Sequence, residues 1–204
     1  MTTLPRLLAY ADADVVARED LGRCAAAIAA VGPATALVAR WPGGNADQLA
    51  ALADRFVRLA RPTGARVLVT GRADIAVAVG ADGVILRRDD LSVADARTIG
   101  APLVFRSVHG IDEARDAVRA GADALVVGTI WATDSHPGRT GAGLALIREV
   151  ASLGTPVYAI GGVTAERAVE AREAGAHGVA AVKAVWAADD RFKAASALAA
   201  QTAR

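Results

Sequence analysis

The chain has 204 residues, of which 53% are hydrophobic and 4% aromatic, and this length is enough for one well-buried domain. Its 23 basic and 22 acidic residues leave a formal net charge of +1, without a basic run or an acidic tail. This balance argues against nucleic-acid and membrane partners and favours a small-molecule partner. The sequence contains no apolar run long enough for a membrane span, no secretory signal and only one cysteine, so we expect a cytoplasmic protein.

Short apolar runs alternate with segments of helical periodicity along the whole chain. In chain order, the predicted strands are 6–10, 35–40, 66–70, 83–86, 102–107, 124–130, 156–161 and 178–185. Near-continuous apolar runs are typical of parallel strands buried on both faces, and helical segments such as 111–120 and 164–174 supply the crossovers. The pattern predicts a TIM (β/α)8 barrel, as a single domain over residues 1–204, rather than an open doubly wound sheet.

Capping residues mark the borders of several predicted helices. Asn45, Asp90 and Thr164 are placed to cap helix amino termini. Gly121 and Gly175 each stand where a helix gives way to the next strand. These borders agree with the alternation of strands and helices.

Two neighbouring strand exits near the carboxyl terminus are suited to holding a phosphate group. Gly161 and Gly162 follow the seventh strand and allow backbone N–H groups to approach an anion. Val182 and Lys183 lie at the eighth strand exit, and barrel enzymes commonly bind phosphate with the loops after these two strands. The alternative is that the two glycines only permit a tight turn.

Polar side chains at other strand exits are candidates for chemistry. Ser107 and His109 follow the fifth strand, and imidazole can take and give a proton near neutral pH. The alternative for His109 is a hydrogen-bonded histidine at a helix start. Arg40 ends the second strand and Arg72 follows the third, where each suits either an anionic substrate or a surface ion pair.

Acidic residues and a long loop offer two further hypotheses. Asp89 and Asp90 suit either Mg²⁺ or a helix start, and the second interpretation is favoured because Mg²⁺ requires additional oxygen ligands. The glycine-containing loop 133–143, with His136, is predicted to form a lid over the sixth strand exit.

Several of these motifs together resemble the thiamine phosphate synthase and TenI superfamily of small phosphate-binding barrels. The similarity extends over nearly the whole chain and is carried by the stretch 68–84, by Ile160-Gly161-Gly162 and by the Ala-Gly-Ala triplet at 174–176. Two activities share this scaffold, so individual residues have to be compared.

The synthase branch joins a thiazole phosphate to a pyrimidine diphosphate with the help of Mg²⁺. The Asn-Asp pair that follows its third strand is Thr70-Gly71 in this chain, so that only Asp90 remains as a metal carboxylate. Its Gln-x-Arg-x-Lys motif retains only Arg40, and the lysine of its sixth loop is replaced by His136. These departures weaken the match to the synthase.

The tautomerase branch matches more of the polar residues, namely 106–109 after the fifth strand, Gly71-Arg72, Thr133-Asp134 and the Gly-Arg-x-Gly-x-Gly run at 138–143. The resemblance therefore predicts a thiazole tautomerase of thiamine biosynthesis. This isomerase shifts a proton so that a carboxylated dihydrothiazole ethyl phosphate becomes aromatic. It implies His109 as the proton carrier, Arg40 or Arg72 as the carboxylate partner, and Ser107 and Thr133 as substrate contacts, without a metal or another cofactor.

Two alternatives accompany this prediction. One is a thiamine phosphate synthase with Mg²⁺ at Asp90, and the other is a non-catalytic barrel that binds a phosphorylated ligand. The expected partner is a small phosphorylated thiazole. A homodimer stays open because apolar helix stripes serve core packing and subunit contacts alike.

Overall fold

A computed structural model describes residues 3–133 and 140–201. Its strands in these ranges are β1 (Leu7–Tyr10), β2 (Thr35–Ala39), β3 (Arg66–Thr70), β4 (Gly83–Leu86), β5 (Leu103–Val108), β6 (Ala124–Gly128), β7 (Val157–Ile160) and β8 (Gly178–Ala181). Each strand pairs in parallel with the next, and β8 pairs with β1 to close the barrel. The predicted (β/α)8 architecture is confirmed.

Helices connect the strands on the outside of the barrel. In the same ranges they are α1 (Ala13–Val16), α2 (Leu21–Ala29), α3 (Ala46–Ala60), α4 (Ala73–Ala78), α5 (Val93–Ile99), α6 (Ile111–Arg119), α7 (Gly143–Ala151), α8 (Ala165–Glu173), α9 (Lys183–Trp186) and α10 (Arg191–Gln201). Short 3₁₀ turns, Gly32–Ala34 and Arg61–Thr63, precede β2 and β3. Within the described ranges, none of these helices has the length and apolar character required to cross a bilayer.

Alternation along the strands produces two apolar layers. One layer fills the barrel interior and includes Leu8, Phe105 and Tyr158. The strand residues that alternate with these inward-facing ones, such as Leu37 and Val104, face the helices and form the larger core. Because successive strand side chains point to opposite faces, a strand buried on both faces has to be apolar throughout. This arrangement explains the uninterrupted apolar runs in the sequence.

The amino-terminal end of the barrel is closed by aromatic side chains. The Tyr158 hydroxyl donates to the carbonyl oxygen of Pro5 at 2.6 Å. The Tyr158 ring stacks on Phe105 with centroids 5.5 Å apart, and His177 meets it edge-on at 5.5 Å. In the described ranges these contacts fill the interior near the amino-terminal end, so a ligand site is expected at the carboxyl ends of the strands.

Most of the predicted helix borders are confirmed, with one correction. Asn45 forms a capping box with Gln48, and Thr164 caps α8. Gly121 and Gly175 follow the last residues of their helices with positive φ angles. The prediction for Asp90 is wrong, because Ser92 caps α5 and the Asp90 carboxylate is bonded to Arg87 instead.

The predicted eighth strand is too long. Strand β8 ends at Ala181, and the next apolar residues form α9, in which the Trp186 amide donates to the Val182 carbonyl at 3.0 Å. Trp186 stacks on Phe56 with centroids 6.1 Å apart. A short apolar run fits a buried strand and a buried helical turn equally well, so periodicity alone does not separate them.

Candidate active site

The mouth of the barrel is formed by the carboxyl ends of the eight strands. Continuing the inward alternation from Val38 and Ile85 by two residues brings Arg40 and Arg87 to this rim. Tyr10 forms part of the floor, where burial raises the pKa of its hydroxyl and the charge of Arg40 opposes that effect. Tyr10 is the register partner of Val38, so Arg40 stands two residues beyond it toward the mouth.

The two arginines predicted to meet an anion have different surroundings. Arg72 is exposed and pairs with Asp74 on α4, with Nε 2.8 Å from Oδ1. Hydrogen bonding to Asp74 raises the pKa of the Arg72 guanidinium. Arg40 forms no ion pair with any residue in 3–133 or 140–201 and is half-buried. Of the two, Arg40 is available to an anionic ligand.

Asp90 is engaged on both of its carboxylate oxygens. Arg87 donates from Nη2 to Oδ1 at 2.9 Å, and from Nε and the backbone amide to Oδ2 at 3.0 and 2.7 Å. Burial acts to raise the pKa of Asp90, but the hydrogen bonds from Arg87 outweigh it and the pKa is lowered. Asp90 is thus an ionised partner of Arg87.

The residues around Asp90 do not fit the Mg²⁺ that the resemblance associates with a synthase. Gly71 supplies no ligand side chain, and the Asp90 oxygens already accept three hydrogen bonds. In the part of the chain that the structure describes, no group of three or more His, Cys, Asp or Glu side chains could hold a metal ion. Mg²⁺ prefers a near-octahedral set of oxygen ligands, which this corner lacks.

The turn after β7 requires its two glycines. Gly161 and Gly162 have φ angles of +97° and +67°, in the region that side chains other than glycine rarely adopt. A Cβ at Gly162 would lie 2.8 Å from the Ala132 carbonyl oxygen and 2.9 Å from the Cβ of Trp131. The turn is therefore packed closely against the segment that follows β6.

Arg167 on α8 joins this turn to the segment after β6. Its Nη1 donates to the Gly162 carbonyl at 2.6 Å, and its guanidinium carbon lies 5.6 Å from the centre of the Trp131 ring. In a trans peptide the carbonyl and the following N–H point in opposite directions. The bond to Arg167 therefore orients the Val163 N–H away from α8.

The other predicted phosphate contacts lie at the start of α9. Val182 is half-buried and packs against both apolar layers, and Lys183 is exposed. Parallel pairing of β7 and β8 places this start beside the glycine turn. The four predicted phosphate residues thus lie on neighbouring strand exits.

His109 is directed toward α6. Its ring Nδ1 lies 3.3 Å from Glu113 Oε2, and the side chain is 61% exposed. The His109 backbone amide donates to the same oxygen at 2.9 Å. Glu113 also pairs with Arg88. This geometry corresponds to the alternative of a hydrogen-bonded histidine at a helix start.

A cavity of about 300 Å³ lies between β5 and helices α5 and α6 and is lined by Arg88, Arg106, Ser107 and Glu113, among others. Arg106 donates to the Arg88 and Leu91 carbonyl oxygens at 3.2 and 3.4 Å. Because Arg88 is paired with Glu113, both of these cations already have partners. This space belongs to the helix layer rather than to the mouth.

The predicted lid is described only at its two ends. Thr133 is half-buried, whereas residues 134–139, including His136, lie outside the described residues. The Trp131 amide donates to the Gly161 carbonyl at 3.2 Å, and the Ala142 amide donates to the Thr129 carbonyl at 2.9 Å. Both ends are thus held at the exits of β6 and β7.

Four side chains of this region were not predicted from the sequence as parts of the site. They belong to Tyr10, Thr70, Arg87 and Arg167. The alternation of β4 could have indicated Arg87, which stands two residues beyond Ile85. No comparable signal marks Arg167, because its contacts depend on how α8 meets the segment after β6.

The fold and its rim define a small (β/α)8 barrel with arginines at the mouth beside a glycine turn. A family model described as thiamine monophosphate synthase matches residues 8–185, and the chain belongs to this family.

Individual relatives agree with the family assignment. A thiamine-phosphate synthase of Mycolicibacterium vanbaalenii is 47% identical over 156 residues, covering 75% of this chain and 69% of the relative. Another, from Chloroflexus aurantiacus, is 42% identical over 175 residues, covering 83% and 80%. The solved thiamine phosphate pyrophosphorylase of Pyrococcus furiosus superposes with a TM-score of 0.82 at 27% identity, covering 97% and 95% of the two chains.

These comparisons correct the predicted activity. The prediction of a thiazole tautomerase, and with it of an isomerase, is wrong, because relatives at 42–47% identity are thiamine-phosphate synthases, which are transferases. The physical reason lies in the residues that suggested it. Arg72 is paired with Asp74, Arg106 bonds to backbone carbonyls near α5, and His109 contacts Glu113. These motif matches lie outside the barrel interior.

Proposed function

We propose that the chain is a transferase of the thiamine-phosphate synthase type, which joins a thiazole phosphate to a pyrimidine diphosphate. The observation that carries the proposal is the 42–47% identity to thiamine-phosphate synthases that align over most of the barrel. In this transfer a carbon–nitrogen bond forms as the carbon–oxygen bond to the diphosphate breaks. Negative charge therefore builds up on the departing diphosphate.

The arginines at the mouth support this chemistry. Preorganised cations stabilise a leaving group in proportion to the charge that develops on it. Arg40 carries a charge that no described acidic residue neutralises, and Arg87 lies on the same rim two strands away. We assign Arg40 to the diphosphate.

The thiazole phosphate is assigned to the opposite side of the mouth. Backbone N–H groups of the turn at Gly161 and Gly162 and the start of α9 at Val182 and Lys183 offer donors to a phosphate monoester. Ser107 borders the helix-layer cavity but stands two residues beyond the inward-facing Phe105, so its side chain is proposed, with the Thr133 hydroxyl, to contact the rings between the two anionic sites. The proton-carrier role predicted for His109 belonged to the isomerase reaction and has no part in this transfer.

The test is an assay of diphosphate release with both substrates present and with each omitted in turn. The expected result is one diphosphate released for each thiamine phosphate formed, and no release when either substrate is absent. Arg40→Gln should reduce kcat/KM by about 10²-fold, in the range seen when one charge-stabilising donor is removed. Arg58→Gln, which removes an exposed α3 arginine paired with Asp54, is the matched control and should retain full activity. Binding of both substrates without turnover would contradict the proposal and favour a non-catalytic barrel.

A further inference from the structure

The corner of the mouth between β3 and β4 carries a cationic side chain where a metal ion is expected. Asp90 is the one acidic residue that the resemblance retains for Mg²⁺, and both of its oxygens accept hydrogen bonds from Arg87. The Asp90 side chain is 10% exposed and that of Arg87 is 64% exposed. The carboxylate is thus covered by the guanidinium, and the guanidinium faces solvent.

Gly71 leaves the space that this pair occupies. A Cβ at position 71 would lie 3.1 Å from Arg87 Nη2 and 3.1 Å from Asp90 Oδ2. The Gly71 φ angle of +78° adds a conformational reason for glycine. A longer side chain here and the Arg87–Asp90 pair would compete for one volume. The Arg87–Asp90 ion pair therefore occupies the space that a carboxylate side chain at position 71 would need.

The Arg87 guanidinium keeps donors for a ligand after it has bound Asp90. An arginine side chain has five N–H donors, and Asp90 accepts from Nε and once from Nη2. Three N–H groups remain. A guanidinium fork matches the oxygens of phosphate and diphosphate.

A hydroxyl on the neighbouring strand also lacks a protein partner. The Thr70 Oγ1 is buried and forms no hydrogen bond with the residues that the structure describes. Thr70 ends β3, and its register partner Ile85 is two residues before Arg87 on the same face of β4. A buried hydroxyl without a partner is costly unless a ligand or water satisfies it.

We propose that Arg87, held in place by Asp90, performs the role of the divalent cation at this corner, so that the protein binds diphosphate without a metal ion. The charge balance is consistent: Mg²⁺ between two carboxylates is neutral, and so is one guanidinium beside one carboxylate. The proposal rests on the transferase function, because that function supplies the diphosphate.

The first experiment measures binding of inorganic pyrophosphate to the whole chain by calorimetry, in buffer with EDTA and in buffer with added Mg²⁺. The expected result is binding in EDTA, weakened at least tenfold by Arg87→Gln. Arg115→Gln is the matched control, because Arg115 forms an exposed i,i+3 pair with Asp112 at 2.9 Å, the same spacing and distance as Arg87 and Asp90. It should bind like the wild type.

Arg87→Gln leaves the Asp90 carboxylate without its partner, so a second variant guards against a folding defect. The double variant Arg87→Gln with Asp90→Asn replaces the ion pair by two neutral amides and should show the same tenfold weakening. Wild-type binding that requires Mg²⁺, absence of binding in both media, or unchanged binding in both variants would each overturn the proposal.

The second experiment measures Mn²⁺ binding directly by electron paramagnetic resonance, a readout that does not depend on turnover. The wild type should leave the signal of free Mn²⁺ unchanged. The double variant Arg87→Ala with Gly71→Asp removes the guanidinium and adds a carboxylate, which aspartate can do because it tolerates a positive φ better than most residues. It should gain Mn²⁺ binding. Stoichiometric Mn²⁺ binding by the wild type that is lost in Asp90→Asn would overturn the proposal while leaving the transferase function intact.

Discussion

His177 is a partly buried titratable residue at the closed end of the barrel. Its Nδ1 lies 3.3 Å from Arg6 Nη1, and its ring meets the edge of Tyr158. Burial lowers the pKa of His177 below its usual 6.5, and the positive charge of Arg6 lowers it further. The folded protein thus disfavours the protonated form of this imidazole.

This pKa shift determines how the stability depends on pH. Below pH 6.5 the unfolded chain takes up a proton at His177 more readily than the folded chain, so stability that is fully present above 6.5 is lost as the pH falls. We expect the free energy of unfolding in urea to decrease more between pH 7.5 and pH 5.5 in the wild type than in His177→Gln. An equal decrease in both proteins would show that His177 does not contribute.

A single sequence shows which residues could form a site, but not which side chains they contact in the folded chain. The pair Gly161 and Gly162 was predictable because a left-handed turn requires glycine. The partners of Arg40 and Arg72 were not predictable from the sequence. Both arginines stand at a strand exit, and only the folded chain places Asp74 beside Arg72. The ion pair of Arg87 and Asp90 depends in the same way on the path of the chain after β4.

Helix α3 has a complete capping box at its amino terminus. The Asn45 side chain accepts from the Gln48 amide at 2.9 Å, and the Gln48 side chain accepts from the Asn45 amide at 2.9 Å. Each bond satisfies a backbone donor that the helix geometry leaves without a partner.

Loss of this cap should be measurable. Asn45→Ala is expected to reduce the free energy of unfolding by about 1 kcal/mol, the usual cost of removing an N-cap side chain. Urea denaturation followed by circular dichroism provides the value. Gln48→Ala should cost less, because it leaves the Asn45 side-chain bond in place. The opposite order would contradict the assignment of Asn45 as the main capping residue.

Helix α8 contacts the glycine turn after β7 through Arg167. Under the proposed transferase function, we expect Arg167→Ala to raise the KM for the thiazole phosphate about tenfold with little change in kcat, because it removes a charge-assisted bond to Gly162 that orients the turn. Arg167→Lys should recover part of the loss. Steady-state kinetics and the fluorescence of Trp131, identified by comparison with Trp131→Phe, measure the effect.

Arg172→Ala is the control on the same helix. Arg172 lies in the last turn of α8, away from the glycine turn, and should leave the KM unchanged. A fall in kcat alone in Arg167→Ala would contradict a role in positioning the phosphate.

The order of strands and helices was predictable from the sequence, because apolar runs buried on two faces and amphipathic connecting segments have different periodicities. Strand β8 shows where hydrophobic periodicity gives the wrong boundary. Residues 178–185 form one apolar run, but the chain turns at Val182, and the packing of Trp186 on Phe56 makes the second half helical. That contact joins residues far apart in sequence, which local pattern does not reveal.

On the scale of the whole molecule, the interior layer is shared by all eight strands. Phe105 is fully buried in it and stacks on Tyr158. Phe105→Ala should lower the free energy of unfolding by about 3–5 kcal/mol, the usual cost of a large aromatic cavity. Phe192→Ala is the control, because Phe192 is 48% exposed and its removal should change stability by less than about 0.5 kcal/mol. Equal losses in urea denaturation would contradict this distribution of the core.

In the described ranges, the contacts of Tyr158 with Phe105 and with the Pro5 carbonyl fill the amino-terminal end of the barrel, so the carboxyl end is the open one. A ligand that binds in the mouth therefore enters and leaves through the same opening. In the two-substrate transfer proposed above, we therefore expect the deeper substrate to bind first and the deeper product to leave last. The closed amino-terminal end of the barrel thus determines the order of binding and release at the carboxyl end.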